Sequence, residues 1–273
     1  MESEEKSVKQ GLKQGLIIMI VMLLVVGVAM LLIPRGEMPE PETRPTSPPA
    51  PTGPTLPPNP YDGQIVDRLT EQPGAVVLGI DVSHHQQQIN WEEVASSGIT
   101  FAMIRLGYRG YTDGIMYPDD FVQENLAGAK AAGLKIGAYF FSQAVNVQEA
   151  KAEAEYALAL LEGITLDLPL AYDWEYVNET ARTATVSKET LTECTLAFCK
   201  AVKDAGREPM IYFNRTQALD MLDLHRLTDY EWWFAQYQTV LDFPYRVAMW
   251  QYTQTGSVAG ITGNVDINVK FQG

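Results

Sequence analysis

Eight short apolar runs recur between residues 75 and 269, and their spacing limits the fold more than any other feature of the sequence. Stretches of helical character separate the early runs, whereas the later runs follow one another closely. Such alternation is typical of a parallel α/β fold, in which a covering helix follows each strand. In chain order the runs are AVVLGIDVS, TFAMIRLGY, KIGAYFFSQ, LPLAYDWEY, EPMIYFNRT, WWFAQYQ, RVAMWQYTQ and NVDINV.

Three stretches between the early runs predict helices, at residues 119–132, 147–161 and 187–205. The last has Ser187 as a suitable N-cap and Gly206 just past its end. The connections after the sixth run are too short for a full helix, and TQTGSVAGITG before the last run favours a hairpin. We therefore predict an α/β fold for residues 72–273, a modified TIM-like (β/α)5(β)3 barrel.

The fourth run places two acids, Asp173 and Glu175, at its end with only Trp174 between them. Side chains alternate between the faces of a strand, so both acids point one way and Trp174 points the other way, towards the helices. The Cα atoms of the acids lie roughly 6 to 7 Å apart, so their carboxyl groups can reach one small group. A solvated strand end is the simpler interpretation of such a pair, and the other strand ends decide between the two.

Nearly every run ends in polar or aromatic residues, and β/α barrels assemble their active sites at the carboxyl ends of the strands. A metal site is disfavoured, because His84 and His85 are adjacent, point apart and form no HxH or HExxH spacing. We expect four carboxylates to meet at one mouth of the barrel, those of Asp81, Asp173, Glu175 and Asp266.

Acids surrounded by aromatic rings suit carbohydrate chemistry, because rings stack on sugar faces and carboxylates stabilise an oxocarbenium-like transition state. The chain has neither a GxSxG nucleophile motif nor a Gly-rich phosphate loop. Each candidate ring is equally compatible with the barrel core. The residues expected to contact substrate are Tyr139, Tyr212, Tyr237, Trp250, Tyr252, Gln251 and Arg105.

Five ordered segments resemble the glycoside hydrolase family 25 lysozymes: GIDVSHHQQQINWEEVASSGITFAMIRLG, KIGAYFFSQA, YDWE, PMIYFN and MWQYTQTGSVAGITGNVDIN. The resemblance covers nearly all of residues 78–272. It implies cleavage of the bond between N-acetylmuramic acid and N-acetylglucosamine in peptidoglycan, without a cofactor. It also implies that Glu175 is the general acid, that Asp173 assists it, and that Asp81 and Asp266 line the same cleft.

One segment departs from the family pattern. Many members carry a KxTEG-like stretch after the second strand, where this chain has IRLGYRGYTDG, so we expect different contacts along that rim. Two alternatives to the muramidase are a non-catalytic glycan-binding module and a chitinase-like glycosidase. The four acids count against the module. The family 18 chitinases have a DxxDxDxE strand, and Ala171 stands two residues before Asp173, which disfavours that group.

The N-terminal segment predicts a membrane anchor. Residues 15–33, GLIIMIVMLLVVGVAMLLI, are nineteen residues without a charge, about the length of a transmembrane helix. A cleavable signal peptide is the alternative, although its apolar core is usually shorter and precedes a small-residue cleavage site. Three lysines precede the segment and only Arg35 follows closely, so residues 1–14 are expected to form a cytoplasmic tail.

We predict that residues 34–71 form a Pro-rich extracellular linker, because their composition cannot bury a core. We therefore expect a single-pass protein of the cell membrane, with its catalytic domain outside a bacterial cell. Its predicted partners are peptidoglycan glycan strands and the membrane itself. The formal net charge of −14 argues against nucleic acid as a partner.

Overall fold

The computed structural model describes residues 76–271, which contain nine strands. They are β1 (Val76–Val82), β2 (Phe101–Arg109), β3 (Met116–Pro118), β4 (Lys135–Ser142), β5 (Leu170–Trp174), β6 (Pro209–Asn214), β7 (Glu231–Ala235), β8 (Met249–Gly256) and β9 (Val265–Phe271). The sheet follows the order β1-β9-β8-β7-β6-β5-β4-β2, and β1 also pairs with β2. Eight strands thus close into a barrel, and the predicted barrel is confirmed.

One strand of the barrel, β9, differs from the others in direction. β9 runs antiparallel to both of its neighbours, β1 and β8, whereas the other neighbouring barrel strands are parallel. The hairpin between β8 and β9 agrees with the prediction. The short strand β3 was not expected; it pairs with β2 outside the barrel and forms a hairpin with it.

Four α-helices follow the early strands: α1 (Trp91–Ser96), α2 (Val122–Ala131), α3 (Val147–Leu160) and α4 (Lys188–Asp204). Ser187 caps α4 by accepting a hydrogen bond from the Thr190 amide at 3.1 Å, and Gly206 follows its end with a φ of 76°. Both glycine and cap therefore act as predicted. Helix α1 was not predicted.

The fifth β/α unit of the prediction needs correction, because no α-helix covers the connection from β6 to β7. A π-helical turn at Gln217–Met221 and a 3₁₀ turn at Leu224–Leu227 lie there instead. Leu222 between them is extended, with φ −126° and ψ 142°, which breaks any continuous helix. This connection instead packs three buried leucine side chains against the barrel, those of Leu222, Leu224 and Leu227.

Alternation along the strands divides the core into two layers. Ala102 and Ile104 of β2 belong to a large cluster that includes helix residues such as Leu126 and Phe198, so this cluster lies outside the barrel. The inward-facing residues form a separate cluster. Its buried members are Phe101, Met103, Tyr139, Ala171, Met210, Tyr212, Trp233, Ala235 and Met249.

The barrel interior is tightly filled beside Gly79 of β1. A Cβ atom added at Gly79 would overlap the ring of Phe101, so a larger residue there would require that ring to move. The interior below the mouth is therefore a packed core rather than a pore, as in other β/α barrels. The carboxyl end of the barrel is left to carry polar groups.

The predictions for the cytoplasmic tail, the transmembrane helix and the linker fall on residues 1–71, outside the described residues. Within residues 76–271, no helix combines the length and the apolar character needed to span a bilayer.

Candidate active site

Two of the four predicted acids lie opposite each other on neighbouring strands. Asp81 near the carboxyl end of β1 is the register partner of Asp266 on β9. Asp266 is the second residue of β9. Because β9 is antiparallel, the beginning of this strand lies at the mouth of the barrel. Directly paired residues point to the same face of a sheet, so the two carboxyl groups share the barrel interior.

Gln251 of β8 joins Asp81 to the aromatic side of the site. Its Nε2 donates to Asp81 Oδ2 at 2.8 Å, and its Oε1 accepts from the hydroxyls of Tyr212 and Tyr237, each at 2.9 Å. Asn268 Nδ2 donates to the same Asp81 oxygen at 2.8 Å. One amide thus links strands β1, β6 and β8 and the residue Tyr237 that follows β7.

Asp173 occupies the next part of the mouth. It is buried in β5, where its register partner on β6 is Tyr212, one of the two tyrosines bound to Gln251. Tyr139 of β4 lies within the electrostatic reach of Asp81 and Asp173. Burial raises the pKa of the Tyr139 phenol, and the charges of both acids raise it further, against the charge of Arg105. The interior therefore brings Asp81, Asp173, Tyr139 and Tyr212 together.

Glu175 follows immediately after the last residue of β5 and is half-buried. Its backbone carbonyl accepts a hydrogen bond of 2.8 Å from Gln143 Nε2. Trp174 before it belongs to the outer core, and its indole N–H donates to the carbonyl of Ala144 at 3.1 Å. The prediction that Trp174 points towards the helices is confirmed, and the acids lie on either side of it in the chain.

A buried cation and anion form the rim beside β1. Arg105 Nε donates to Asp119 Oδ2 at 2.8 Å, and the Arg105 guanidinium also contacts the His84 ring. The backbone amides of His84 and Phe121 each donate to Asp119 at 3.0 Å. Arg105 is only 3% exposed, so its buried charge is balanced by the ion pair with Asp119.

Asp119 should contribute to stability in a pH-dependent way. Burial alone would raise the pKa of its carboxyl, but the hydrogen bond with His84 and the charge of Arg105 outweigh burial and lower the pKa to about 2. An acid with a lowered pKa stabilises the fold above its ordinary pKa of 3.8, and this contribution disappears as the pH falls through about 2. The contribution is about 2 kcal/mol.

Urea unfolding of the wild type and of Asp119→Asn between pH 2 and pH 5 measures this contribution. We expect the difference in unfolding free energy between the two proteins to narrow as the pH falls below about 4. A difference that stays constant over this range would show that the Asp119 charge does not stabilise the fold.

The structure does not bring Trp250 and Tyr252 to the acids. Trp250 packs in the outer core and donates its indole N–H to the carbonyl of Gln236 at 2.8 Å, while its ring lies 5.7 Å from the ring of Tyr252. Met249 and Gln251, on either side of Trp250, face the interior. This corrects the expectation that Trp250 lines the cleft, because consecutive residues of a strand face opposite ways.

Sequence reasoning missed several polar residues that build the site. Asp119 was expected only as the start of a helix, Gln143 appeared only as the last residue of a run, and Gln217 was not singled out at all. No local pattern marks them, because their partners lie far away in the chain. Gln217, for example, donates to the carbonyl of Trp174, 43 residues before it.

The sequence is similar to those of known glycoside hydrolases. The family model "Glycosyl hydrolases family 25" matches residues 80–261. Lysozyme M1 of Streptomyces globisporus is 31% identical over 223 residues, which cover 72% of this chain and 68% of that protein. The autolytic lysozyme of Clostridium acetobutylicum is 28% identical over 198 residues, 71% of this chain and 56% of that protein.

Solved structures show the same fold. A bacterial lysozyme from Streptomyces coelicolor superposes with a TM-score of 0.60 at 28% identity, covering 72% of this chain and 92% of that one. The modular autolysin LytC from Streptococcus pneumoniae gives a TM-score of 0.64 at 26% identity. This chain spans 47% of the length of that autolysin. With its barrel, its cluster of acids and the match over residues 80–261, the chain belongs to the glycosyl hydrolases family 25 and is a glycoside hydrolase.

Proposed function

We propose that the chain is a membrane-anchored extracellular muramidase, which hydrolyses the β-1,4 bond between N-acetylmuramic acid and N-acetylglucosamine in bacterial peptidoglycan. The observation that carries the proposal is the Asp81–Gln251–Tyr212 connection, which joins the Asp81–Asp266 pair to Asp173 at one end of a closed barrel. Curated relatives that are lysozymes support this substrate class, and the pneumococcal autolysin has been solved with a synthetic peptidoglycan ligand.

Glu175 donates a proton to the glycosidic oxygen in this proposal, and Asp173 assists it. Asp81 and Asp266 lie across the barrel interior, where negative charge favours the oxocarbenium-like transition state. Tyr139, Tyr212 and Tyr237 present aromatic and hydroxyl groups to the sugar rings. Gln251 holds two of these tyrosines in place. The residues act without a cofactor.

The test is the solubilisation of purified peptidoglycan by the wild-type protein, with chitin assayed in parallel. We expect soluble muropeptide chains from peptidoglycan and little release from chitin. A binding module would sediment with peptidoglycan and release nothing, and a chitinase would prefer chitin. Either of these results would overturn the proposal.

The membrane part of the proposal rests on the nineteen-residue apolar segment and on the lysines before it. We expect the full-length chain to stay in the membrane fraction with residue 273 outside the cell. Protease added to intact, wall-stripped cells should then release the catalytic domain. A mature protein that begins after residue 33 and is found free in the medium would identify the segment as a signal peptide.

A further inference from the structure

The main chain that carries Glu175 leaves the sheet just before that residue. The pairing of β5 with β6 ends at Asp173 and Tyr212, and the pairing with β4 ends at Ser142 and Trp174. Here the side chains of two buried glutamines, instead of neighbouring strands, donate hydrogen bonds to the backbone carbonyls. Gln143 donates to the carbonyl of Glu175, and Gln217 donates to the carbonyl of Trp174.

Gln143 uses both ends of its amide in this arrangement. Its Nε2 donates to the carbonyl of Ser142 at 2.9 Å and to that of Glu175 at 2.8 Å, while its Oε1 accepts from the hydroxyl of Thr183 at 2.9 Å. Gln143 and Thr183 are both 0% exposed. A fully buried amide with its partners satisfied has little freedom to move, so the site of Glu175 is fixed from the β4 side.

Gln217 fixes the same segment from the β6 side. Its Oε1 accepts from the backbone amide of Asn214 at 2.8 Å, and the backbone amide of Gln217 donates to Asn214 Oδ1 at 3.0 Å. This reciprocal pair orients the Gln217 side chain, whose Nε2 then reaches the Trp174 carbonyl. Two consecutive carbonyls, at Trp174 and Glu175, are thus held by residues that follow β6 and β4, the two neighbours of β5.

An ion pair supports Gln143 in turn. Arg182 donates from Nη1 to the Gln143 carbonyl at 2.7 Å, and it binds both carboxyl oxygens of Glu149 at 2.6 and 2.7 Å. Bidentate pairs of this kind are geometrically specific. Arg182 and Thr183 both belong to the loop that begins with Glu175, so the later part of this loop is also bound to Gln143, the residue that follows β4.

We propose that Gln143 and Gln217 are positioning residues, which set the place of the Glu175 carboxyl by holding the two carbonyls at the end of β5. The inference rests on the proposed function, in which Glu175 is the general acid. Because a displacement of about 1 Å at a reacting group can cost on the order of 100-fold in rate, the loss of either amide should lower kcat while substrate binding is largely kept.

The test uses Gln143→Met and Gln217→Met, which keep the length of the side chain and remove its donor. The control is Arg207→Met, because Arg207 also clamps two carbonyls, those of Leu161 and Ile164, but at the other end of the barrel. With soluble, uncross-linked peptidoglycan strands we expect kcat to fall about 10- to 100-fold in each glutamine variant, with KM within about threefold. Arg207→Met should retain the wild-type kcat.

Hydrogen exchange of the segment that follows β5 gives a second readout, which does not depend on activity. We expect faster exchange at residues 175–183 in Gln143→Met than in the wild type or Arg207→Met. If Gln143→Met does not fold, Gln217→Met carries the same test. Wild-type kcat in both glutamine variants, or equal loss in Arg207→Met, overturns the inference. An inactive but folded wild type overturns the proposed function, and the exchange rates still decide whether the glutamines hold this segment.

Discussion

Replacing Glu175 with Gln should leave the barrel folded and lower the rate of peptidoglycan hydrolysis by about 10²- to 10⁴-fold, the usual scale for losing a general acid. The fold survives because the hydrogen bond from Gln143 reaches the main-chain carbonyl of Glu175, which the substitution does not alter. Glutamine keeps the size and polarity of the side chain, but its amide protons are not acidic enough to be transferred to the glycosidic oxygen.

The measurement is the initial rate of fragment release from purified peptidoglycan, together with thermal unfolding and sedimentation with the polymer. Glu179→Gln is the matched control, because Glu179 lies on the same loop and is exposed, and the substitution is the same. We expect wild-type rates from this control. A folded Glu175→Gln protein that hydrolyses at the wild-type rate would show that another residue supplies the proton.

Replacing Arg109 with Met should destabilise the domain by about 3 to 5 kcal/mol, which is the usual cost of breaking one side of a buried ion pair. Arg109 Nε donates to Glu153 Oε1 at 2.6 Å, and Glu153 is completely buried. Without Arg109 the carboxyl keeps the hydrogen bond from the Ser142 hydroxyl at 2.6 Å, but it loses its countercharge.

The stability lost on replacing Arg109 with Met should depend on pH. Burial raises the pKa of Glu153 to about 7, despite the hydrogen bond from Ser142 and the charge of Arg109. An acid with a raised pKa stabilises the fold fully below its ordinary pKa of 4.5, and this contribution is lost as the pH rises through about 7. Removing the cation disfavours the ionised carboxyl further, so Arg109→Met should be most destabilised at pH 8.

Guanidinium unfolding at pH 5 and pH 8 checks this expectation. Lys200→Met is the control, because Lys200 and Asp204 form an ion pair of the same 2.6 Å length whose side chains are 70% and 63% exposed. An exposed pair of this kind contributes about 0.5 kcal/mol or less. If Arg109→Met loses no more stability than Lys200→Met, the buried Arg109–Glu153 pair does not stabilise the fold more than an exposed ion pair does.

The sequence was sufficient to predict the barrel strands and the outward orientation of Trp174, because both depend on local alternation. Eight apolar runs became eight barrel strands, and Trp174 faces the helices as its position between Asp173 and Glu175 requires. Alternation also explains one error. Trp250 and Gln251 are adjacent in β8 and cannot both face the interior, and it is Gln251 that bonds to Asp81.

Other features depend on contacts between distant parts of the chain. The hairpin predicted between the last two runs already implies that β9 is antiparallel to β8, but the register that pairs Asp266 with Asp81 depends on a contact with the first strand. The partnership of Arg105 with Asp119 spans 14 residues, and that of Gln143 with the Glu175 carbonyl spans 32. Polar residues of this kind carry no period that identifies their partners.

The reducing-end sugar of the digest tests the central proposal most directly. Purified peptidoglycan is digested with the protein, reduced with borohydride and hydrolysed in acid, with Glu175→Gln as the control. A muramidase leaves N-acetylmuramic acid at each new reducing end, so we expect muramicitol from the wild type and none above background from the control. Glucosaminitol in place of muramicitol, or no new reducing end from a folded wild type, would contradict the assignment.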